Sequence, residues 1–413
     1  MKKLLYVLLF GTLMFSCTET EKPNNPEIPG SIFIKANGNF LNGDWKGWVI
    51  IQSRDGSYLE MKEIIKNGEV MFENLENYTY HLTFLTKNPT PNGDEVYTGM
   101  SYLDVPIGET YTLGLPNGNS QFKSRQGEFG ISLAHTSEVV GAYGSSSDGV
   151  LSFTSYYNPN QVNIIQGYSS EASDYLIVAY DDQGNYRHKF LKDVSVNGSY
   201  SINFYEMNPF DKIISISSNI APNANYEVIA LNENEYRFSY GNVLTSTNFG
   251  AAPGASNYNL GFLDLFKLYD VKFNFRKEGN ELFYRKIGAA PSKIEIPSTL
   301  DFSISNSSLY NFQSKLPIWA NQFLASVYKN EISEEGSKFF SFWVQGKESN
   351  FSLIFPEELK SQVPFLNDSE NLNMSSVRAI KSSYSYDELV RNILIEVPVK
   401  YEYEYFSSIK SSN

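Results

Sequence analysis

The sequence predicts an all-β protein, built from two or three antiparallel β-sandwich-like modules in tandem, with few short helices. Three observations support this fold class. Aromatic residues make up 15% of the 413 residues, and tyrosine and phenylalanine favour strands. Apolar and polar side chains alternate with a period of two, which is the pattern of a half-buried strand. Asn-Gly and Asp-Gly dipeptides, which are typical of tight turns, separate the alternating segments.

The alternation defines individual strands. Each alternating segment places large apolar side chains on one face and polar side chains on the other, as in 78–84, 199–204, 271–276 and 401–405. The turn dipeptides tolerate the positive φ that a tight hairpin needs, and they occupy 55–56, 67–68, 92–93, 117–118 and 197–198. The order strand, turn, strand therefore predicts antiparallel sheets that pack as sandwiches.

Helical patterns are rare. Pro356 and two glutamates start a short helix that Pro364 ends, and residues 385–391 predict a second short helix. Residues 317–328 carry apolar side chains at both the helical and the strand spacing, so the pattern leaves this segment open.

Two segments of small and polar residues divide the body of the chain, 141–149 and 247–256. They predict three β-rich blocks, 31–140, 150–245 and 265–410, each close to the size of about 100 residues that a sandwich module has. The sequence shows no internal repeat of the length that indicates a solenoid or a propeller.

The N-terminus has the order of a secretory signal, which we assign to residues 1–16. Lys2 and Lys3 form a basic region, residues 4–15 form an apolar stretch, and Ser16 precedes Cys17, the only cysteine of the chain. The apolar stretch is shorter than the ~20 residues that a membrane-spanning helix needs. With one cysteine, the chain has no intramolecular disulfide and no multi-cysteine metal site.

The segment Leu13-Met14-Phe15-Ser16-Cys17 resembles the lipobox of bacterial lipoproteins. A strict lipobox has leucine where this chain has Met14, and the looser form is similar to outer-membrane or surface lipoproteins of the Bacteroidota. The resemblance implies that the signal is cut before Cys17 and that the cysteine carries acyl chains such as palmitate, which hold the protein on a lipid bilayer. The alternative is an ordinary cysteine in a signal cut by the general peptidase.

The residues that follow Cys17 predict a flexible tether and resemble a sorting signal. Residues 17–30 are polar and contain three prolines, which is typical of an extended linker. Thr18, in place of aspartate, resembles outer-membrane sorting, and Glu19 and Glu21 resemble the acidic export signal of surface lipoproteins in that phylum. We expect a lipid-anchored protein of the outer membrane in the cell envelope, with surface display favoured over a periplasm-facing position.

The charge of the chain narrows the choice of partners. Its formal net charge is −13, and cleavage before Cys17 would remove two lysines and leave −15. Such an acidic body does not suit the phosphates of nucleic acid, so the sequence predicts no nucleic-acid partner. Anionic lipid would also repel the body, so contact with the bilayer depends on the acylated N-terminus.

The sequence contains no catalytic motif. It has no Gly-x-Ser-x-Gly elbow, His-Glu-x-x-His, Walker loop or dinucleotide fingerprint. The three histidines, His81, His135 and His188, lie more than fifty residues apart and have no metal ligand at a suitable spacing. We predict no catalytic residues, no metal and no cofactor, and a protein that is not an enzyme. A hydrolase with a site assembled from distant residues stays open as the least favoured alternative, because catalytic triads are defined by geometry.

Three local patterns carry weaker predictions. His81 alternates with Thr79 and Thr83, which predicts a solvated imidazole on a polar strand face. The oxygen-rich segment 181–185 could hold calcium, but its position between two strand patterns favours a hairpin turn. Trp45 and Trp48 are candidates for stacking on a sugar ring, although packing in the core is the commoner fate of such side chains.

Two classes of function remain. The first is a non-catalytic lipoprotein of the cell envelope that binds a glycan or another surface partner. The alternative is a structural or assembly component of the outer membrane that contacts other proteins through sheet edges or faces. Exposed aromatic side chains at a concave site favour the first class, and a large exposed apolar patch or an unpaired edge strand favours the second.

Overall fold

The structure is a computed structural model of the 413-residue chain. It describes residues 30–411 apart from 38–39, 42–44, 91, 115–124, 135–138, 147–150, 153–154, 159–160, 170–172, 182–184, 222, 232–240, 247–256, 278, 299, 301, 334–335, 369 and 396–402. The signal sequence, Cys17, nearly all of the tether and His135 therefore lie outside the described residues.

The described residues confirm the all-β prediction. In chain order the strands are β1 (Ile32–Ala36), β2 (Lys46–Gln52), β3 (Tyr58–Ile64), β4 (Glu69–Phe72), β5 (Thr79–Pro89), β6 (Glu95–Pro106), β7 (Thr110–Leu113), β8 (Arg125–Ala134), β9 (Val139–Ser146), β10 (Leu151–Ser152), β11 (Ser155–Asn158), β12 (Gln161–Ser169), β13 (Ser173–Asp181), β14 (Tyr186–Val194), β15 (Ser199–Asn203), β16 (Asn208–Pro209), β17 (Lys212–Ser217), β18 (Asn225–Leu231), β19 (Gly241–Ser246), β20 (Asn257–Phe262), β21 (Leu268–Lys277), β22 (Asn280–Gly288), β23 (Ser303–Asn306), β24 (Phe312–Lys315), β25 (Gln322–Ser333), β26 (Gly336–Gly346), β27 (Asn350–Phe351), β28 (Ser376–Ser382) and β29 (Tyr403–Ser411).

The helices are short, as the sequence predicts. Helix α1 (Glu357–Gln362) follows Pro356 and ends before Pro364. Helix α2 (Tyr386–Val390) begins at a capping box, in which the Ser385 side chain accepts the Glu388 backbone N–H and the Glu388 carboxylate accepts the Ser385 N–H. Residues 317–328, for which the sequence pattern does not decide between helix and strand, form a turn followed by the start of β25.

One twelve-stranded sheet organises the molecule. Its order is β19-β18-β21-β22-β29-β28-β25-β26-β6-β5-β2-β3, so it contains strands from all three predicted blocks. All neighbours in it are antiparallel except β26 and β6, which run parallel from Lys338 opposite Glu95 to Gln345 opposite Tyr102. Residues 141–146, which begin the first predicted break, lie in β9. The block boundaries themselves stay a prediction.

A glycine permits the parallel pairing. Gly99 lies opposite Phe342, and a β-carbon at residue 99 would collide with the Phe342 ring, which is fully buried. Because glycine has no side chain, β6 and β26 approach while the ring fills the space between them.

The other described sheets are smaller. Five strands form β10-β9-β13-β14-β16, four form β11-β12-β8-β15, three form β4-β1-β7 and three form β23-β24-β27, while β17 pairs with β20. The turn dipeptides at 55–56 and 92–93 join antiparallel neighbours, as predicted. Those at 67–68 and 197–198 instead link strands of different sheets. Asp181 and Asn185 close the β13–β14 hairpin, in which the Asn185 N–H donates to the Asp181 carboxylate at 2.8 Å.

Apolar side chains fill both faces of the long sheet. One buried cluster centres on β18, β21 and β22, and a second centres on β25 and β26 and is covered by α1. A third packs β1, β2 and β5 against α2. Strand β5 is therefore buried on both faces, whereas the β22–β29–β28 region opens to solvent at a cleft.

Candidate functional site

The candidate site is an open cleft of about 370 Å³ on one face of the long sheet, over three of its interior strands. Strands β22, β29 and β28 form one side, and the irregular segment 291–295 forms the other. Its lining is rich in lysine, glutamate and hydroxyl side chains: Tyr284, Lys286, Pro291, Ser292, Lys293, Glu295, Lys381, Ser382, Ser383, Glu404, Tyr405 and Phe406.

Strand register brings side chains from distant parts of the chain to this cleft. Lys286 lies opposite Glu404, and Tyr284 lies opposite Phe406. Phe406 in turn lies opposite Lys381 on the other neighbouring strand. Because alternate residues of a strand share a face, these five side chains belong to one face of three adjacent strands.

The floor of the cleft is apolar and rigid. Tyr284 and Phe406 are buried, and the Trp319 ring packs edge-on against Phe406 with 5.4 Å between the ring centroids. Apolar side chains at 290, 294 and 296 attach the segment beyond the cleft to the same core. The polar side chains that surround the cleft therefore lie on a layer of packed apolar side chains.

Glu404 is held by two donors. Its Oε1 accepts the Tyr284 hydroxyl at 2.9 Å, and its Oε2 accepts Lys286 Nζ at 3.4 Å. Burial, followed by the Glu404 charge, raises the pKa of Tyr284 above its usual value, so the phenol stays protonated and remains a donor. One carboxylate therefore balances one of the three lysines of the cleft.

A second lysine is also balanced. Lys293 forms an ion pair with Glu295, and this hydrogen bond lowers the pKa of Glu295 and raises that of Lys293. The Lys381 charge adds to the lowering at Glu295. Glu295 is thus ionised at neutral pH, so it accepts hydrogen bonds and does not act as a proton donor.

Lys381 is the remaining cation. It is exposed at the cleft and makes no ion pair within 4 Å among the described residues. With three lysines and two glutamates, the lining carries one net positive charge in a chain whose net charge is −13. The cleft can therefore bind an anionic group at Lys381, while its serine and tyrosine hydroxyls bind neutral polar groups.

The two candidate tryptophans lie elsewhere. Trp48, in β2, is 4% exposed and packs in the cluster around β25 and β26. Trp45 is partly buried and packs against the cluster around β1 and β5. Neither lines the cleft, and the two indoles contact different parts of the core. A ligand-binding role for them stays a prediction, with Trp45 alone retaining appreciable exposed surface.

His81 is buried, so the prediction of a solvated imidazole is wrong. Its side chain is 2% exposed because β5 is an interior strand of the long sheet with both faces covered. The β5–β6 register shifts between Tyr80 and Leu82, and at this bulge the Asp104 backbone N–H donates to His81 Nδ1 at 3.2 Å. Asp104 has a left-handed backbone with φ of 52° and lies 3.4 Å from Arg54 Nε.

Burial lowers the pKa of His81, and the neighbouring Asp104 charge opposes this shift. Burial also lowers the pKa of His188, opposed by Asp211. Both imidazoles are therefore neutral in the folded protein at neutral pH. Neither histidine lines the cleft.

The two histidines predict a loss of stability in mild acid. A lowered folded-state pKa means that the unfolded chain binds protons more tightly, so stability is full above the unfolded pKa of about 6.5 and falls with pH below it. Each histidine contributes a slope of at most about 1.4 kcal/mol per pH unit. Urea unfolding between about pH 7 and pH 5.5 stays above the ordinary carboxylate range and measures this slope.

A His81→Gln variant provides the control for that slope. It removes one titrating group, so its unfolding free energy should change less with pH than that of the wild type. Wild-type stability that is constant, or that rises as the pH falls, would contradict the assignment of neutral histidines.

Sequence reasoning did not identify the cleft. Its residues come from three segments that are far apart in the chain, and no short motif marks them. The nearest signal is the alternation of tyrosine and glutamate at 401–405, which indicates a strand with carboxylates on one face but does not identify the lysines opposite them. Strand pairing alone places Lys286 opposite Glu404 and Lys381 opposite Phe406, two residues further along the same strand.

No group of three or more histidine, cysteine, aspartate or glutamate side chains is placed to hold a metal ion in the described part of the chain. No helix among the described residues has the length and apolar character required to cross a membrane.

Comparison with known proteins does not assign a family. No family model matches the chain, and no curated protein matches it. Among solved structures it is similar to the Bacillus anthracis TIE protein, with 12% sequence identity and a TM-score of 0.16, over 60% of this chain and 45% of that one. A likeness at this level carries no argument about fold or function, which rest here on the chain's own residues.

Proposed function

We propose that this protein is a non-catalytic, lipid-anchored lipoprotein of the cell envelope that binds an acidic glycan in the cleft. The observation that carries the proposal is Lys381, an exposed lysine with no ion pair among the described residues, in a cleft whose other two lysines are balanced by glutamates. A carboxylate or sulfate on a sugar would complete the missing pair.

The remaining lining suits a saccharide. Ser292, Ser382 and Ser383 add hydroxyls beside Lys381, and sugar hydroxyls can both donate to and accept from them. The volume of about 370 Å³ lies at the lower end of the range for small-molecule sites. An open, polar cleft of this size fits one or two sugar units at a chain end or branch.

The charges of the cleft favour binding over catalysis. Hydrolysis of a glycoside needs one carboxyl group that is protonated near neutral pH. Here Glu295 has a lowered pKa, and Glu404 accepts hydrogen bonds from Tyr284 and Lys286. Both carboxylates serve to orient lysines, which is a role in recognition.

A glycan array tests the ligand class. The full-length protein, extracted in a non-ionic detergent, is applied to immobilised carboxylated, sulfated and neutral saccharides. We expect retention on saccharides that carry a carboxylate or a sulfate, and a decrease in retention as salt is added. Retention on neutral saccharides alone, or on none, would contradict the proposal.

The anchor has its own test. Replacing Cys17 by serine removes the thiol that the lipobox resemblance identifies as the acylation site, so acyl labelling and membrane retention should both be lost. Metabolic labelling with palmitate and fractionation of the cells measure the two effects. A Cys17→Ser protein that still fractionates with the membrane would refute the lipid anchor without affecting the glycan proposal.

The alternative function, an assembly component that pairs with other proteins through a sheet edge, is not favoured by edge strand β3. Strand β3 ends the long sheet, and Glu60, Lys62 and Glu63 lie along it. Charged side chains on an edge strand discourage pairing with a strand of another protein.

A further inference from the structure

A second surface of the molecule carries exposed aromatic and aliphatic side chains that no described element covers. It is the outer face of the β25–β26 hairpin, where Tyr328 is 54% exposed, Phe339 is 42% exposed and Ile332 is 78% exposed. Trp343 lies on the same face and is partly buried. We call these four residues the aromatic platform.

The register of the hairpin places a small polar side chain opposite each member of the platform. The cross-strand pairs are Ser326 with Trp343, Tyr328 with Ser341, Asn330 with Phe339, and Ile332 with Ser337. Directly opposed residues lie on the same face of an antiparallel pair. Rings and uncharged polar groups therefore alternate in both directions across a surface that extends about 13 Å from Trp343 to Phe339.

Two of the three rings of the platform hold each other in position. Trp343 Nε1 donates a hydrogen bond to the Tyr328 hydroxyl at 3.0 Å, and the rings are nearly perpendicular, with an angle of 83° and 5.8 Å between centroids. Because the Tyr328 oxygen accepts from the indole, its own hydrogen remains available to a ligand. The platform thus offers ring surface and a directed donor at the same point.

This mixture of groups favours a saccharide over a protein partner. A dry protein interface would bury Asn330 and Ser337 between the apolar side chains, and polar groups that lose water without gaining a partner weaken binding. A sugar presents C–H groups to an aromatic ring and hydroxyls around it, so it can satisfy both kinds of neighbour.

A positive charge borders the platform. Arg378, in β28, lies opposite Leu324 of β25, two residues before Ser326 on the same face. It is half-buried and makes no ion pair within 4 Å among the described residues. An unpaired guanidinium beside a surface for sugar rings is complementary to a carboxylate on the sugar.

We propose that the aromatic platform and Arg378 bind a linear polysaccharide that carries carboxylate groups. Arg378 and Lys381 are three positions apart on β28, so their side chains point to opposite faces of the sheet. The platform is therefore a site separate from the cleft, and it contacts several successive sugar units of a chain.

The test measures binding to three linear uronate polymers, alginate, polygalacturonate and hyaluronate, each immobilised for biolayer interferometry. The analyte is the full-length protein in a non-ionic detergent. We expect binding to at least one polymer, and a loss of at least tenfold in affinity for Trp343→Ala and for Tyr328→Ala. Arg378→Gln should weaken binding and reduce its dependence on salt.

Matched controls separate the platform from the cleft and from misfolding. Tyr78→Ala removes an exposed tyrosine outside the platform and should leave affinity unchanged. Lys381→Ala removes any binding by the cleft and should leave polymer binding by the platform intact. A further loss of affinity when Trp343→Ala is added to Lys381→Ala supports the platform, including the case in which the cleft binds none of the polymers. Melting temperatures identify a variant that fails to fold, and Tyr328→Ala then replaces Trp343→Ala.

Three outcomes would overturn the proposal. The first is no binding to any of the three polymers. The second is binding that Trp343→Ala and Tyr328→Ala leave unchanged. The third is self-association of the wild type, measured by sedimentation, that the platform variants abolish without any effect on polymer binding, which would make the platform a protein interface.

Discussion

Replacing Phe323 by alanine should lower the free energy of unfolding by about 3–5 kcal/mol. The Phe323 side chain is fully buried, and its ring lies nearly parallel to those of Phe312 and Phe351, at centroid distances of 6.4 and 5.9 Å. Truncation removes one of three mutually stacked rings and leaves a cavity that the surrounding strands cannot fill. Equilibrium unfolding in urea, followed by circular dichroism, measures the change.

Phe339→Ala is the matched control. Phe339 lies on the adjacent strand β26 but is 42% exposed, so the same substitution there should change the free energy of unfolding by no more than about 1 kcal/mol. Equal effects at the two positions would contradict the location of the core between β25 and the strands β24 and β27.

The strands were predictable because a period of two is a local property. Alternation at 271–276 and 199–204 requires only neighbours in the chain, and both segments form strands except for Phe204, which begins a short 3-10 helix. The pairing was not predictable, because nothing in residues 95–102 indicates that they run parallel to residues 338–345. Partner choice depends on side-chain fit over long separations, as the collision at Gly99 with Phe342 illustrates.

The burial of His81 shows where alternation misleads. A polar strand face predicts solvent when no partners are known, but Thr83 Oγ1 lies 3.0 Å from Gln52 Oε1 and 2.9 Å from Ser101 Oγ, and all three side chains are buried. Buried polar groups that find hydrogen-bond partners are stable in a core. The polar face of β5 is therefore an internal network, which the sequence alone does not distinguish from a wet surface.

Replacing Lys381 by glutamate should weaken binding of an acidic saccharide by roughly ten- to hundredfold, because a charged hydrogen bond contributes about 1.5–3 kcal/mol. The substitution also places a third carboxylate beside Glu295 and Glu404, so repulsion adds to the loss. Lys192→Glu is the control, since it reverses an exposed lysine of β14 away from the cleft. Competition by soluble saccharide in the glycan assay measures the affinities.

The candidate site, like the strand pairing, could not be predicted from the sequence, because it depends on contacts between distant residues. Lys286, Lys381 and Glu404 come from segments without a shared motif, and only the register of three strands brings them to one face. The sequence shows that these charged residues are present, but a net charge of −13 gives no indication that some of them form a local positive cleft. The anchor prediction has the opposite character, because the lipobox is a contiguous motif that needs no fold.

Calorimetric titration measures whether the cleft binds an acidic saccharide through Lys381. An acidic saccharide retained on the glycan array is titrated into the wild-type, Lys381→Glu and Lys192→Glu proteins, each at low and at high salt. We expect the wild type and the Lys192→Glu control to bind saturably, with an affinity that falls as salt is added. Lys381→Glu should bind at least tenfold more weakly. Equal affinities of the wild-type and Lys381→Glu proteins would contradict binding through Lys381.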